Sequence, residues 1–325
     1  IRPRGLSPLA GIWAFILKNI RLATFFLITF SIIGIDLVLI YSNRTYIGSN
    51  AFNYLTLITV SVLSILLNAY SLHSGRPKMI LLSLFTTSAM LFLLPVIFFP
   101  ITAKISDLLP IVTKQGEALL SGQNIYQYYL LDNGTYTQAV RQPGMILLFL
   151  PAAFLHIDPR ILSLLYYLLT GVILLKFAYR KISEIKLDQK FWMILLLLII
   201  FLLMPYIYLR TDLYEYPFWT VFFASLYFLN KKKLILFSVF WGICISTQVW
   251  AWVFTPFVLV YLFRKYKLKR TIYLALTFLL IGGGILALFV LPDPKAYLEH
   301  VLGFYQNSQA NAGFPVMTMF LTPWV

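Results

Sequence analysis

Residues 143–155 read PGMILLFLPAAFL, an apolar run that decides how the whole chain is threaded. Thirteen residues of α-helix reach only about 20 Å, whereas the hydrocarbon core of a bilayer is about 30 Å thick. Pro143 suits a helix start and Pro151 interrupts the middle, so the run reads as a helix lying in or dipping into an interface rather than crossing it. Residues 102–142 before it are polar. The apolar segment after it, 161–178, leads into the basic residues Arg180, Lys181, Lys186 and Lys190. Two crossings between these flanks would put them on the same side. One crossing separates them.

Outward from this run the chain is mostly apolar. Hydrophobic residues make up 60% and charged residues 11% of the 325 positions, with a mean hydropathy of +0.84. Soluble domains carry about 25% charge, so the composition belongs to a membrane protein. Apolar runs at 23–42, 53–72, 79–101, 161–178, 191–209, 216–229, 234–247, 248–263 and 271–292 give about nine spans, and a shorter stretch at 9–17 reads as an interfacial helix. The division between 234–247 and 248–263 rests only on Ser246, Thr247 and Gln248, which break one long apolar run at 234–263. The expected fold is therefore all-α, a polytopic transmembrane bundle over residues 1–292. Its long extracytoplasmic loop covers 102–142, its interfacial helix 143–155, and an extracytoplasmic segment follows at 293–325. The chain opens without Met and closes inside an apolar stretch, which reads as truncation at one or both ends.

Charge sets the orientation. Lys and Arg number 26 against 11 Asp and Glu, a net +15. The basic residues bunch between apolar runs instead of forming one patch, which is a topology signal and excludes a nucleic-acid partner. The threading above puts 19 of the 26 on the cytoplasmic side, leaving Arg44, Lys104, Lys114, Arg141, Arg160, Arg210 and Lys295 elsewhere. Eight of the 11 acids then fall outside: Asp107, Glu117, Asp132, Asp158, Asp212, Glu215, Asp293 and Glu299. The positive-inside rule does not place acids, so this clustering points to chemistry on the outer face. Two sequons, at Asn43 and Asn133, fall there too. The only cysteine, Cys244, rules out a disulfide within the chain. Gly282-Gly283-Gly284 lies within a span and reads as a helix-packing site, not a phosphate loop. His73 and His156 have no partners at ligand spacing, so no zinc site is assigned. Asp36 stands within the first span and should face protein or water, with Asn68 or Asn53 as its partner.

The loop itself, from Lys104 onwards, reads KISDLLPIVTKQGEALLSGQNIYQYYLLDNGTYTQAVRQPG. A helix fits 108–120, Gly122 stops it, and Tyr126, Tyr128 and Tyr129 form an aromatic cluster suited to headgroup level. Ser106-Asp107 after a span, then Gly116, Ala118, Gly122, Asn124 and Tyr126, then Arg141-Gln142-Pro143 opening an apolar segment, resemble the first extracytoplasmic loop of GT-C superfamily glycosyltransferases. The apolar segment after Pro143 resembles the juxtamembrane helix of that superfamily. The resemblance covers 106–143 in motif and roughly 80–290 in architecture. Ile125 stands where many relatives have Pro, and two spans precede the one leading into Asp107 where many relatives have one in all.

The resemblance implies an integral membrane enzyme, in a plasma or endoplasmic-reticulum-type membrane, with an extracytoplasmic active site. It would transfer a hexose, mannose first among them, from a polyprenyl- or dolichyl-phosphate donor to a glycan, lipid or protein acceptor. Asp107 is then the base. A carboxylate at a membrane boundary is partly desolvated, which raises its proton affinity, and an inverting displacement needs one base because the lipid phosphate leaves readily. Asp107 also fits the N-cap of the following helix, with Pro110 in its first turn, and the two roles are compatible. Arg210, Arg141 and Lys104 are the cations for the donor phosphate. Glu117, Tyr126, Asp212, Glu215, Gln248 and His300 are candidates for sugar or acceptor binding. No cofactor is assigned. A divalent metal is compatible with the chemistry, but Leu108 and Leu109 follow Asp107, so an Asp-x-Asp pair is absent. The alternative class is a transporter or flippase, which would carry polar groups through its span centres and an internal repeat.

Overall fold

A computed structural model describes residues 19–42, 51–98, 101, 108–139, 141–179, 187–203 and 215–302. The expected interfacial helix at 9–17 and the sequon at Asn43 lie outside these residues. In chain order the elements are α1 (Ile20–Ser42), α2 (Ala51–Ser74), α3 (Pro77–Phe98), α4 (Leu108–Leu120), β1 (Tyr128–Leu130), β2 (Tyr136–Gln138), α5 (Pro143–Leu155), α6 (Pro159–Ala178), α7 (Gln189–Leu203), α8 (Tyr216–Asn230), α9 (Leu234–Thr247), α10 (Val249–Val290) and α11 (Pro294–Tyr297), the last running into a π-turn at Leu298–Leu302.

Five of these helices, α1, α2, α3, α6 and α10, are long and apolar enough to cross a membrane. They carry large apolar side chains on their outsides, among them Phe30, Leu37, Phe257, Leu280 and Leu288, each more than 60% exposed. Water would penalise such surfaces and lipid does not. The apolar helices α5, α7 and α9 are shorter, and α8 has 15 residues.

The chain divides into two compact units, residues 1–100 with 167–213, and residues 101–166 with 214–325. In the first, α1 packs on α2 and α2 on α3. A buried polar seam joins α2 to α3. The Asn68 amide donates to Thr87 Oγ1 (2.6 Å) and to the Ser64 carbonyl (2.8 Å), and its Oδ1 accepts from Ser83 (3.2 Å). Between apolar helices such bonds give registry that featureless side chains cannot. Asn68 is therefore committed to α3. Ser61 stands beside Asp36, whereas the sequence points to Asn68 or Asn53.

The second unit is built on α9. Trp241 donates its indole N–H to Thr255 (3.1 Å), while a Cβ added at Gly242 would stand 2.7 Å from the Phe278 carbonyl. On a straight helix Thr255 and Phe278 would be about 35 Å apart. Both touch neighbouring residues of α9, so α10 folds back on itself. The bend is at Lys267, whose φ of 65° and ψ of 170° fall in a region that only glycine enters freely, a strain of about 1–3 kcal/mol. The arms, 249–266 and 268–290, share one apolar core with Phe237, Trp241 and Cys244 of α9 and Phe218 of α8. Between α9 and α10 the close approach is at Gly282, where a Cβ would lie 2.6 Å from the Gly242 carbonyl, whereas Gly283 and Gly284 meet nothing within 4 Å. Of the three glycines expected to serve packing, Gly282 is the one at a helix–helix contact.

Candidate functional site

The polar stretch 108–142 folds around a small core of its own. Helix α4 ends in a left-handed Gly122 (φ 69°), with the Gln123 amide donating to the Ala118 carbonyl at 2.8 Å, the usual glycine stop. A short antiparallel hairpin follows, pairing Tyr128 with Gln138 and Leu130 with Tyr136. Its turn is closed by Gly134 (φ 78°), while the Asn133 side chain accepts from the Thr135 amide (3.0 Å) and hydroxyl (2.6 Å). This hairpin departs from an all-helical loop. Asn-Gly between alternating residues is the signal for it.

The segment 293–302 docks on that loop. Asn124 donates to Asp293 (3.1 Å), Tyr297 donates to Gln142 (3.1 Å), and Gln138 donates to the Glu299 carbonyl (2.7 Å). The Tyr126 and Tyr297 rings meet edge to face at 5.2 Å, and His300 lies 4.8 Å from the Tyr128 ring. Ile111, Ala118, Ile125, Tyr126, Tyr129, Ile146 and Val301 form the core beneath. Burial pushes the Tyr126 phenol well up, and the neighbouring Tyr297 adds to it, so Tyr126 stays neutral. His300 is 5% exposed and burial lowers its proton affinity, against the smaller pull of Glu299 and Asp293. Its Nδ1 has no hydrogen-bond partner among the described residues.

Beside this core runs a groove of about 450 Å³. One wall is the α4 stripe Pro110, Thr113, Lys114 and Glu117, spaced i, i+3, i+4 and i+7, so all four share a face while Leu109, Ile111, Val112 and Gln115 turn inward. The floor is Ala152 and Ala153 of α5, held close to α4 because Gly116 leaves only 2.9 Å between an added Cβ and that of Ala153. The far end is the corner His156-Ile157-Asp158-Pro159, and the hairpin contributes Leu131 and Asp132. His156 caps α5 in the left-handed conformation (φ 52°). Asp158 holds the buried Arg160 with both carboxylate oxygens, at 2.6–3.0 Å. Lys114 and Glu117 are 3.5 Å apart and half exposed. Three carboxylates, an ammonium and an imidazole thus surround an apolar floor. Such a site can take hydroxyl protons at its rim and a carbon face below.

No protein-family model, curated protein or solved structure matches this chain.

The expected site residues divide accordingly. Glu117 lines the groove. Tyr126 and His300 are buried in the adjoining core, where their rings pack against tyrosines. Arg141 is half-buried next to them, its carbonyl accepting from the Tyr126 hydroxyl at 3.5 Å. Gln248 sits at the break between α9 and α10, an extended residue (φ −147°) beside Ser246, against which Gly144 of α5 is pressed. Glu215 is exposed at the start of α8 and makes no capping hydrogen bond with its side chain. Asp107, Lys104, Arg210 and Asp212 lie outside the described residues. The sequence reading missed Lys114, Asp132, His156 and Asp158 as a set, although the α4 stripe was legible from its spacing. Among the described residues no three His, Cys, Asp or Glu side chains are close enough to hold a metal ion.

Proposed function

We propose that this chain is an integral membrane glycosyltransferase that moves a hexose, mannose first among candidates, from a polyprenyl- or dolichyl-phosphate to an acceptor hydroxyl on the extracytoplasmic side. The observation that carries the reading is the groove, a polar-rimmed, apolar-floored cleft in the loop whose helix α4 begins one residue after Asp107. In this reading Asp107 takes the acceptor proton as the hydroxyl attacks the anomeric carbon, and the lipid phosphate departs with the bonding electrons. Arg210, Arg141 and Lys104 neutralise that phosphate. Glu117, with Asp132 and Asp158, orients acceptor hydroxyls, and Asp212, Glu215, Gln248, Tyr126 and His300 complete or support the sugar site. The nine-span threading belongs to the same proposal. Contact between residues 124–142 and 293–302 supports placing both on one side. Among the described residues seven apolar helical segments separate them, namely α5 to α9 and the two arms of α10, and a return to the same side takes an even number of crossings. The 13-residue α5 is the shortest and is the one assigned to the interface.

Membranes carrying the chain and supplied with a polyprenyl-phosphate hexose test the enzyme reading. Asp107→Asn at unchanged expression should lower transfer by about 10²–10⁴-fold, the usual weight of a general base. Glu117→Gln should raise the acceptor KM with a smaller change in kcat. Transfer by Asp107→Asn at the wild-type rate removes Asp107 as the base, and absence of any transfer by wild type across hexose donors removes the enzyme reading.

A further inference from the structure

The α10 elbow carries a charge imbalance that no described residue of its own unit answers with an ion pair. Five cations, Arg264, Lys265, Lys267, Lys269 and Arg270, lie within seven residues, all exposed. No acidic residue occurs between Glu215 and Asp293, and among the described residues none of the five makes an ion pair. Two of them are nonetheless drawn to one ring. Lys265 Nζ and the Arg270 guanidinium carbon each stand 5.6 Å from the centre of Tyr266, and Lys265 also donates to the Tyr261 hydroxyl at 2.6 Å. Like charges gathered this way repel unless an anion stands with them. The backbone at Lys267 is in the glycine-type conformation described above, so a residue with no need of that geometry is held at the apex.

The surroundings say which anion. Phe263, Leu268, Ile272 and Tyr273 are each about half exposed beside the cations. The elbow also joins two apolar arms of a membrane-crossing helix. Charge in one ring and apolar surface directly adjoining it match a phosphate attached to acyl chains, not a phosphate free in water. We infer that the elbow is a binding site for the phosphate headgroup of an anionic membrane lipid, with Lys265 and Arg270 on Tyr266 as the phosphate clamp and Phe263, Leu268 and Ile272 as the acyl contact. This does not depend on the enzymatic proposal. It asks only that the α10 arms lie in lipid.

The test uses the full chain in a zwitterionic detergent, titrated with phosphatidylglycerol, with phosphatidylcholine of the same acyl chains, and with inorganic phosphate. Bound lipid is read by native mass spectrometry and stability by thermal unfolding. Wild type should hold phosphatidylglycerol at least about tenfold more tightly than phosphatidylcholine, and the preference should fall with salt. Arg264→Gln with Lys265→Gln and Arg270→Gln should abolish the preference, while Lys231→Gln with Lys232→Gln and Lys233→Gln, in a different basic turn, should keep it. Should the first set fail to fold, Tyr266→Leu, which keeps every charge and removes the ring, should still weaken phosphatidylglycerol binding. Equal affinity for the two lipids, a preference that survives the elbow substitutions, or one lost equally in the control turn would overturn the inference. Stabilisation by inorganic phosphate to the same extent would overturn the lipid source.

Discussion

The two ends of the α8–α10 bundle are chemical opposites. Where α8 meets α9 and where α10 bends, eight cations stand exposed without one acid, in Lys231–Lys233 and Arg264–Arg270. Where α9 meets α10 and where α10 ends, the chain meets the loop core, the hairpin, and the acids Asp293 and Glu299. The first end is a pair of short turns and the second a folded layer with its own buried side chains. Basic turns need only reach headgroups, and four or five residues do that. The folded layer holds its side chains in fixed places, which takes a core, here Ile111, Ile125, Tyr129 and Val301.

The contrast breaks most visibly in a labelling experiment. The native Cys244 is fully buried, so cysteines placed at exposed Asn133 and Lys269 report alone. A membrane-impermeant maleimide applied from one side should modify one and leave the other untouched, and modification of both from the same side would collapse the distinction. Next in size, Gly282→Leu should destabilise by about 2–3 kcal/mol in reversible unfolding, because α9 and α10 must separate, while Gly283→Leu should change little. If both are neutral, the bundle core is not what sets the two ends apart. The smallest effect concerns the folded layer alone. His300 binds protons less readily folded than free, where its usual value is 6.5. The unfolded form therefore takes up protons first as pH falls through that value, and docking of 293–302 weakens below it. The protection of amides 296–302, corrected for the intrinsic pH dependence of exchange, should fall from pH 7 to pH 5.5, and His300→Phe should flatten that response.

Much of this contrast can be read from residues in order. Apolar runs mark the helices, the glycine at 122 marks the end of α4, and the lysine turn marks the α8–α9 junction, because each depends on neighbours a few positions away. The docking of 293–302 does not show in the sequence, since Tyr297 gives no sign that it will meet Gln142. The hairpin is an intermediate case. Asn133-Gly134 signals it, yet the same tripeptide with Thr135 reads equally as a sequon, and only the pairing of Tyr128 with Gln138 decides the geometry. The groove was half visible. Spacing puts Lys114 and Glu117 on one face, but Asp132 and Asp158 join them through turns whose direction is set by tertiary contacts. The reversal around Lys267 was legible from the basic run between two spans, but its backbone was not, because nothing in a lysine requests φ of 65°.

The bond between Gln138 and the Glu299 carbonyl links positions 161 residues apart. During synthesis, at about 5–20 residues per second, the hairpin emerges roughly 8–30 s before the strand of chain that covers it. For that interval the hairpin waits with Tyr128 and Tyr129 uncovered while the intervening chain is made. The turn at Leu298–Leu302 thus completes the core of this layer only after the chain between has been made.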